Sequence, residues 1–454
     1  MAYLQNFLSK LLEIKLKDKD LNELLKGSAT AFFVKIIGMF LGYVIMIYLT
    51  NKFGAKIYGE YVLGITILSI FVLFPKFGLD TALVRIIGEV KLLRNNDQVI
   101  KVLNRAFSIT TIIGFLFSLI IFFYSSEIAI NIFNKPSIEN ELVKIKWVII
   151  PMSLIYLVAA YFQAYKKVIL YILFNTTLLN FIFIGTLFFL EVFKIEYEPF
   201  FAYSISIVLT FFIGISLLAY NVYFYNNPII KNNLIIAKQY SIKRILKTSS
   251  PMLLSSSFVL LINWLDILML GIFSNEQSVG IYNAAQKLAV ISGLSLFAIN
   301  AIATPKFIEY FAKNDFKGLE NIVAKSTKLI FYTSVPILIV FMVFPKAILS
   351  INGQEFVSGY TALIFLCIGK FVNSASGSVG FILQMTNNQK IFQNVLLFAA
   401  VLNGILNYFL IPKFGFNGAA FASMVTIGAW NITLVLIIKK RLGFWTLYLP
   451  FTKK

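Results

Sequence analysis

Apolar runs of about 20 residues recur along the whole chain, and they restrict its fold more than any other feature. Such a run is long enough to cross the ~30 Å hydrocarbon core of a bilayer, where it satisfies its own backbone hydrogen bonds as a helix. Only 13% of the 454 residues are charged, against roughly 25% in soluble proteins. We therefore predict an all-α polytopic membrane protein with about 12 transmembrane helices, near residues 28–49, 58–74, 104–123, 144–164, 168–190, 200–224, 248–272, 279–302, 328–349, 361–384, 391–411 and 415–438.

The positions of lysine and arginine predict how these helices are oriented. If the N-terminus is cytoplasmic, 29 of the 40 Lys and Arg residues lie on the cytoplasmic side and eight lie on the opposite side, alternating loop by loop. Cytoplasmic loops of membrane proteins collect basic residues. The bias predicts that both termini are cytoplasmic, and it explains the net charge of +20 without a nucleic-acid partner.

Residues 1–27 precede the first apolar run. Leu4, Phe7, Leu8 and Leu11 have helical spacing, with lysines between them. This pattern is typical of an amphipathic helix lying on the cytoplasmic membrane surface. A partly frayed cationic tail is the alternative.

Short motifs repeat at a nearly constant distance, which predicts two similar halves. The motif around Gly59 recurs around Gly280, and Gln163 recurs as Gln384, each 221 residues later. Six crossings per half would relate the halves by an axis along the membrane normal and leave a central cavity that opens to alternate sides. The predicted lobes are residues 28–247, with helices 1–6, and residues 248–454, with helices 7–12.

The residue types exclude several kinds of chemistry. The chain has no histidine and one cysteine, Cys367, so neither a disulfide framework nor a Cys-based metal site can form. It also has no G-x-x-x-x-G-K-[ST] loop to bind a nucleotide. We predict no cofactor, no metal and no enzymatic activity.

Six short motifs follow one another in order: NKFGAKIYGEYVLG, GLDTALVR, LDILMLGIFSNEQSVGIYNAAQKLA, IATPKFIEYFAKND, GQEFVSGYTALIFLCIGKFVNSASG and LNYFLIPKFGFNGAAFAS. In this order and spacing the chain resembles, nearly from end to end, the Wzx-type oligosaccharide flippases of the multidrug/oligosaccharidyl-lipid/polysaccharide exporter superfamily. The most specific part is Asp-x-x-x-x-Gly followed by Val-Gly-x-Tyr.

The resemblance implies a V-shaped pair of six-helix bundles in the bacterial inner membrane. Such proteins move undecaprenyl-diphosphate-linked oligosaccharide, for example an O-antigen or other surface polysaccharide repeat unit, from the inner to the outer leaflet by alternating access. The implied partners are the lipid-linked oligosaccharide, membrane lipids, and a polysaccharide polymerase with its chain-length machinery. We expect the protein itself to be a monomer.

Basic residues in or beside the spans are the candidates for binding the diphosphate, because its negative charges cannot enter hydrocarbon without compensating cations. Lys370 lies about nine residues into the tenth span, near the membrane centre, and Lys35 lies roughly 10 Å from the cytoplasmic end of the first span. Arg85, beyond the second span, is expected at the cytoplasmic mouth.

Lys35 and Arg85 also have structural interpretations. Lys35 would extend to the cytoplasmic interface, and Arg85 would pair with Asp80 or with Glu89, which lies four residues further along a helical face.

Lys370 has a structural interpretation as well, in which it pairs with a polar group such as Asn373. The nearby small residues 376–380, SGSVG, suit close helix packing better than sugar binding.

Asp266 and Lys287 are a further charged pair, on the seventh and eighth spans. The predicted span boundaries place both in the outer half of the membrane, at roughly 9 and 12 Å from the outer ends of their helices. We predict that they form an ion pair or gate, since pairing lowers the cost of burying each charge.

Two other classes of protein compete with the flippase. A membrane glycosyltransferase or polymerase usually has a large extracytoplasmic loop, whereas the largest predicted outer loop, 124–143, is short and contains no histidine. A multidrug exporter of the same superfamily, or an exporter of another lipid-linked precursor, is the closer alternative. Lysines in the spans favour an anionic cargo over cationic drugs.

Overall fold

The computed structural model describes residues 19–92, 96–222, 241–448 and 450, which are mostly helical and contain no strand. The predicted amphipathic segment therefore lies mostly outside the described residues. The α-helices are α1 Lys19–Lys76, α2 Leu79–Leu92, α3 Asn96–Glu127, α4 Glu139–Ala164, α5 Val168–Ile172, α6 Leu178–Val192, α7 Pro199–Tyr220, α8 Ile242–Phe273, α9 Glu276–Ile291, α10 Leu294–Ala312, α11 Phe316–Val343, α12 Pro345–Ser350, α13 Tyr360–Ser376, α14 Val379–Met385 and α15 Gln389–Leu442.

Two of these helices are too long for one crossing. α1 has 58 residues and α15 has 54, so each would extend more than ~80 Å if straight. α1 bends at Gly54, with φ 75°, and α15 bends at Gly415, with φ 54°. These are left-handed backbone conformations that glycine adopts without a Cβ clash. Each helix therefore crosses the membrane twice.

The remaining crossings are single helices or pairs of shorter ones. α3, α4, α7, α8 and α11 cross alone, while α5 with α6, α9 with α10, and α13 with α14 form broken crossings. α2 continues the second crossing beyond Pro75 and Gly78. Together with the bent helices this gives twelve crossings in the described chain and confirms the all-α polytopic fold.

Several helix boundaries differ from the prediction. The seventh helix begins at Ile242 rather than near 248, and the eighth begins at Glu276 rather than near 279. The polar residues between them form a turn of only two residues, Ser274 and Asn275. The small residues of the tenth crossing pack closely, because a Cβ at Gly377 would overlap Thr327. This agrees with the packing interpretation of SGSVG.

The internal repeat is also seen in the backbone conformation of the turns. The turn residues Lys166 and Asn387 both have positive φ, and so do Lys194 and Gly415. The members of each pair are 221 residues apart, which is the offset of the sequence motifs. The two halves therefore reverse direction at equivalent positions.

The helices pack as two bundles. α1–α7 pack mainly on one another and so do α8–α15, while the bundles meet through α1 with α9, α1 with α8 and α2 with α8. Phenylalanines such as Phe181, Phe188 and Phe212 are more than half exposed, as expected for helix faces in contact with lipid. We refer to the end of the molecule that contains the α1 bend as the Gly54 end, and to the end where α1 gives way to α2 as the Gly78 end.

Candidate translocation cavity

A cavity of about 520 Å³ lies where the two bundles meet. It brings together two of the membrane lysines, Lys35 from α1 and Lys287 from α9. The other polar and aromatic lining residues are Tyr43, Tyr61, Thr176, Asn180, Tyr203, Trp264, Asn283 and Gln286. The walls thus combine ammonium groups with amides and aromatic rings.

Lys35 is held against an aromatic ring at one side of this cavity. Its Nζ lies 3.8 Å from the centroid of the Phe297 ring, which belongs to α10. This cation–π contact orients the ammonium group while leaving the side chain half-buried. The contact also joins the first crossing of one bundle to the eighth crossing of the other.

A chain of tyrosine hydrogen bonds fixes Lys287. The Lys287 Nζ donates to the Tyr58 hydroxyl at 3.3 Å, and that hydroxyl donates to Asn283 Oδ1 at 2.8 Å. The Tyr43 hydroxyl donates to the Lys287 carbonyl oxygen at 2.6 Å. Tyr43 and Tyr58 come from α1, so the position of Lys287 depends on how α1 and α9 pack.

A second cavity, of about 350 Å³, lies within the α8–α15 bundle and contains Lys370. It shares Gln286 and Val290 of α9 with the first cavity, so the two spaces adjoin across one face of α9. Asn373, the suggested partner of Lys370, instead donates to Asn431 at 3.2 Å. Among the described residues, the Lys370 ammonium group has no hydrogen bond or ion pair.

Asp266 lies at the edge of the second cavity and is almost completely buried. Its carboxylate accepts hydrogen bonds from the Tyr282 hydroxyl at 2.5 Å, from Asn407 Nδ2 at 2.7 Å and from the Ser423 hydroxyl. These bonds replace hydration of the carboxylate in the interior.

The predicted ion pair between Asp266 and Lys287 is wrong for this structure, because the two side chains have different partners. The reason is the short turn at Ser274 and Asn275. Asp266 precedes the turn by eight residues, and Tyr282 follows it by about as many, so these two meet. Lys287 lies five residues deeper than Tyr282, roughly 7 Å along α9. A gating role for either residue stays a prediction.

The surroundings of Asp266 contain further oxygen atoms without hydrogen-bond partners. Within the described residues, Asn407 Oδ1 and Thr426 Oγ1 are buried and unsatisfied. Buried polar atoms of this kind usually have a partner, and an oxygen-only set beside one carboxylate can hold a proton or a small hard cation. No cluster of three or more acidic or cysteine side chains suited to a metal ion occurs in the part of the chain that the structure describes.

Arg85, predicted at the cytoplasmic mouth, does not line either of these cavities, and its role in binding the cargo stays a prediction. It lies on α2 in a separate pocket at the Gly78 end, and its side chain is 67% exposed. Its Nε donates to Glu89 Oε1 at 3.1 Å, as the alternative interpretation predicted, while Asp80 pairs with Lys76 at 2.9 Å. The cation that accompanies Lys35 in the first cavity is Lys287, not Arg85.

The two bundles are in close contact at the Gly54 end. Cβ atoms added at Gly59 and Gly280 would overlap the backbone carbonyl oxygens of Glu276 and Ala55, so only glycine permits this approach of α1 and α9. The Glu355 carboxylate also accepts a hydrogen bond from the Ala55 N–H at 2.9 Å, next to the α1 bend. The first cavity is therefore closed toward the Gly54 end.

Lys135, in the connection between α3 and α4, adds a second link at this end. Its buried Nζ donates to the Gly271 carbonyl oxygen of α8 at 2.5 Å. Burial lowers the pKa of this lysine, and the nearby Glu276 carboxylate acts in the opposite direction. The hydrogen bond compensates in part for the loss of hydration.

Sequence reasoning missed the aromatic and amide residues Trp264 and Asn283 of the cavity wall, and Tyr58, which accepts a hydrogen bond from Lys287. Tyr58 and Asn283 each adjoin a residue of the repeated motifs, Gly59 and Tyr282. Their position next to these motif residues was the sequence signal that could have identified them.

The twelve-crossing fold, with cavities within and between two bundles, is shared with solved structures of a lipid II flippase and of a MATE family transporter of the MOP superfamily. The family model described as "Polysaccharide biosynthesis protein" matches residues 24–311, and the model described as "MatE" matches residues 251–409. Since the first match covers more than half of the chain, the chain belongs to the polysaccharide biosynthesis protein family.

Individual relatives agree with this placement. The probable low-salt glycan biosynthesis flippase Agl15 of Haloferax volcanii is 29% identical over 165 residues, which are 36% of this chain and 35% of that protein. The membrane protein MJ1068 of Methanocaldococcus jannaschii is 24% identical over 85% of this chain and 78% of its own length. The structure of the lipid II flippase MurJ in an inward closed conformation superposes with a TM-score of 0.72 at 16% identity, covering 91% of this chain and 87% of that one.

Proposed function

We propose that the protein is a flippase that moves undecaprenyl-diphosphate-linked oligosaccharide, an O-antigen or other surface polysaccharide repeat unit, from the inner to the outer leaflet. The observation that carries the proposal is the set of three lysines, Lys35, Lys287 and Lys370, around two adjoining membrane cavities. The family match and the glycan-flippase relative support the same cargo class.

The charge of the cavities fits a diphosphate. The three ammonium groups exceed the one carboxylate, that of Asp266, by two charges. A diphosphate diester carries about two negative charges, and an uncompensated anion in hydrocarbon costs many kcal/mol. Lys370, with no partner of its own in the described chain, is the group best able to contact the phosphates directly.

The remaining walls fit a sugar. Asn180, Asn283 and Gln286 offer amide donors and acceptors for hydroxyl groups, and Tyr43 and Trp264 offer flat apolar rings. These residues come from both bundles, α1 and α6 on one side and α8 and α9 on the other. The oligosaccharide would contact them while the diphosphate contacts the lysines.

Transport requires the cavity to open at one end at a time. The contacts of Gly59 with α9 and of Ala55 with Glu355 hold the Gly54 end closed. In the proposed orientation, with both termini cytoplasmic in a bacterial inner membrane, the Gly54 end faces outward. Release of the cargo therefore requires these contacts to separate. We propose a monomer as the transporting unit, with a polymerase and its chain-length machinery using the product.

A multidrug exporter is the second candidate, favoured by the MatE match and by the buried Asp266 carboxylate. Cationic drugs would need acids facing the cavity, but all three Asp266 contacts are internal hydrogen bonds. The family match also favours transport over a glycosyltransferase or polymerase reaction.

The test is reconstitution of the full chain into liposomes containing a fluorescent undecaprenyl-diphosphate oligosaccharide. A membrane-impermeant reductant bleaches only lipid in the outer leaflet, so transbilayer movement appears as additional bleaching. We expect movement with the protein and none with empty liposomes. Failure to move this lipid, together with movement of a cationic dye, would favour the exporter instead.

A further inference from the structure

A third pocket, of about 530 Å³, lies at the Gly78 end, apart from both membrane cavities. One wall is α2, which contributes Arg85, Ile86 and Glu89, and the other is α8, which contributes Arg244, Lys247, Thr248 and Met252. None of these residues lines the other two cavities. Because α2 and α8 belong to different bundles, the pocket spans the junction between them.

Three cations face a single carboxylate in this pocket. Glu89 Oε1 accepts from Arg85 Nε at 3.1 Å, and Glu89 Oε2 lies 3.8 Å from an Arg244 terminal nitrogen. Lys247 adds a third positive charge on the α8 wall. Counted over its described lining residues, the pocket has an excess of two positive charges, and the Glu89 carboxylate contacts guanidinium groups from both bundles.

The shape and donors suit a phosphate group. Arginine guanidinium groups present planar pairs of N–H donors that match phosphate oxygens, and lysine adds a mobile charge. The Thr248 hydroxyl lies on the same wall, and Ile86 and Met252 form an apolar floor. A carboxylate between two arginines occupies the place that phosphate oxygens would take.

We propose that this pocket binds a diphosphate group, whose oxygens replace Glu89 as the counter-ion of Arg85 and Arg244. The assignment of that group to the headgroup of the lipid-linked cargo rests on the proposed function, and it makes the pocket a docking site separate from the central cavities. A diphosphate bound by both walls also favours the state in which α2 and α8 are close, since it contacts both helices in that state alone.

The experiment uses a local reporter, so that binding in the central cavities does not interfere. Cys367 is buried, and Thr248→Cys places a thiol in the pocket wall. The full-length variant is placed in phosphatidylcholine nanodiscs, and its modification rate by a charged thiosulfonate is measured with increasing farnesyl diphosphate or inorganic pyrophosphate. Ser250→Cys, exposed and two residues away, is the control for nonspecific protection.

We expect the diphosphate probes to protect position 248 and leave position 250 within twofold of its free rate. Added to the reporter, Arg244→Ala or Lys247→Ala should raise the protecting concentration about tenfold, because a charged hydrogen bond is removed. Lys243→Ala also removes one positive charge from α8, but outside the pocket, and should change the protecting concentration less than twofold. Glu89→Gln should lower the protecting concentration several-fold, because the carboxylate that competes with the diphosphate for the arginines loses its charge.

Two results would overturn the site: no protection at position 248, or an equal effect of Lys243→Ala and Arg244→Ala. If farnesyl diphosphate protects at a concentration at least tenfold lower than pyrophosphate does, the ligand is a lipid headgroup. If both probes protect position 248 at the same concentration, the site is supported but its ligand is a free phosphate anion. Transport by the unmodified protein is measured separately, so loss of the site and loss of the flippase function give different results.

Discussion

Of the three cavity lysines, Lys370 has the fewest contacts with its neighbours. Lys35 contacts the Phe297 ring and Lys287 contacts the Tyr58 hydroxyl, whereas no such contact holds the Lys370 ammonium group in the described chain. A buried ammonium group without partners is costly. Its cost is offset when an anionic cargo occupies the cavity.

Lys370→Met should therefore reduce the rate of lipid-linked oligosaccharide transport about 10- to 100-fold, the loss expected for one charged hydrogen bond of roughly 1.5–3 kcal/mol. Methionine keeps the length of the side chain, so we expect unchanged amounts of folded protein in the membrane. The measurement is the fluorescence bleaching assay in liposomes. Lys390→Met, at an exposed position, is the matched control, and equal transport by both variants would contradict the role of Lys370.

The different partners of Asp266 and Lys287 lead to a second prediction. Asp266→Ala removes three hydrogen bonds from the interior and should lower the free energy of unfolding by about 3 kcal/mol, whereas Lys287→Met should lower it by less than ~1 kcal/mol. Without a shared contact, the double variant should be additive within ~0.5 kcal/mol. Denaturant unfolding in detergent measures these values. A coupling energy above ~1 kcal/mol would contradict this prediction and indicate an ion pair between Asp266 and Lys287.

At the scale of the helices, the contact between α1 and α9 depends on glycine at two positions. Their backbones approach so closely at Gly59 and Gly280 that neither position has room for a methyl group. Such contacts between small residues are how membrane helices pack without a hydrophobic driving force. The same contact closes the Gly54 end of the first cavity.

Gly59→Ala should separate α1 from α9 and open the cavity toward the Gly54 end. We expect an impermeant thiol reagent applied from that side to modify an Asn283→Cys reporter at least tenfold faster in the Gly59→Ala background. Gly88→Ala is the matched control, because a Cβ there meets no atom within 4 Å. Equal labelling rates in the two backgrounds would show that this contact does not close the cavity.

Hydropathy predicted the twelve crossings well, since the length of an apolar run follows from bilayer thickness. It also located Lys35 and Lys370 in the membrane. It could not predict the rotation of each helix, because a helix that is apolar on every face gives no signal of which face points inward. Tyr58 and Trp264 were missed for this reason. The ion-pair error had another cause: the polar residues after Phe273 look like a longer loop, and a shift of three residues changed the depth of Lys287.

At the scale of the whole molecule, the internal repeat and the closed Gly54 end are parts of one mechanism. The bundles reverse direction at equivalent turns, such as Lys194 and Gly415. Two similar bundles can tilt relative to each other about the contacts between them. Any covalent link across the closed end should stop that motion.

Thr50 and Asn352 offer such a link, since their side-chain oxygens lie 3.5 Å apart across the two bundles. A Thr50→Cys, Asn352→Cys variant should lose at least nine-tenths of its transport on oxidation and recover it on reduction. The liposome assay measures both states, and each single variant under oxidising conditions is the control. Undiminished transport by the oxidised, cross-linked protein would show that the Gly54 end need not open.

The volume of the first cavity has a consequence for how the carrier resets. A space of about 520 Å³ is large enough to hold many water molecules, since one water needs only ~10–15 Å³ of such space. Loading is therefore a solvent exchange, in which cargo hydroxyls must replace the hydrogen bonds that these waters make to the amides of the wall. In the proposed cycle water would enter the cavity again after release, so the bundles would return to their starting arrangement with the cavity lysines hydrated.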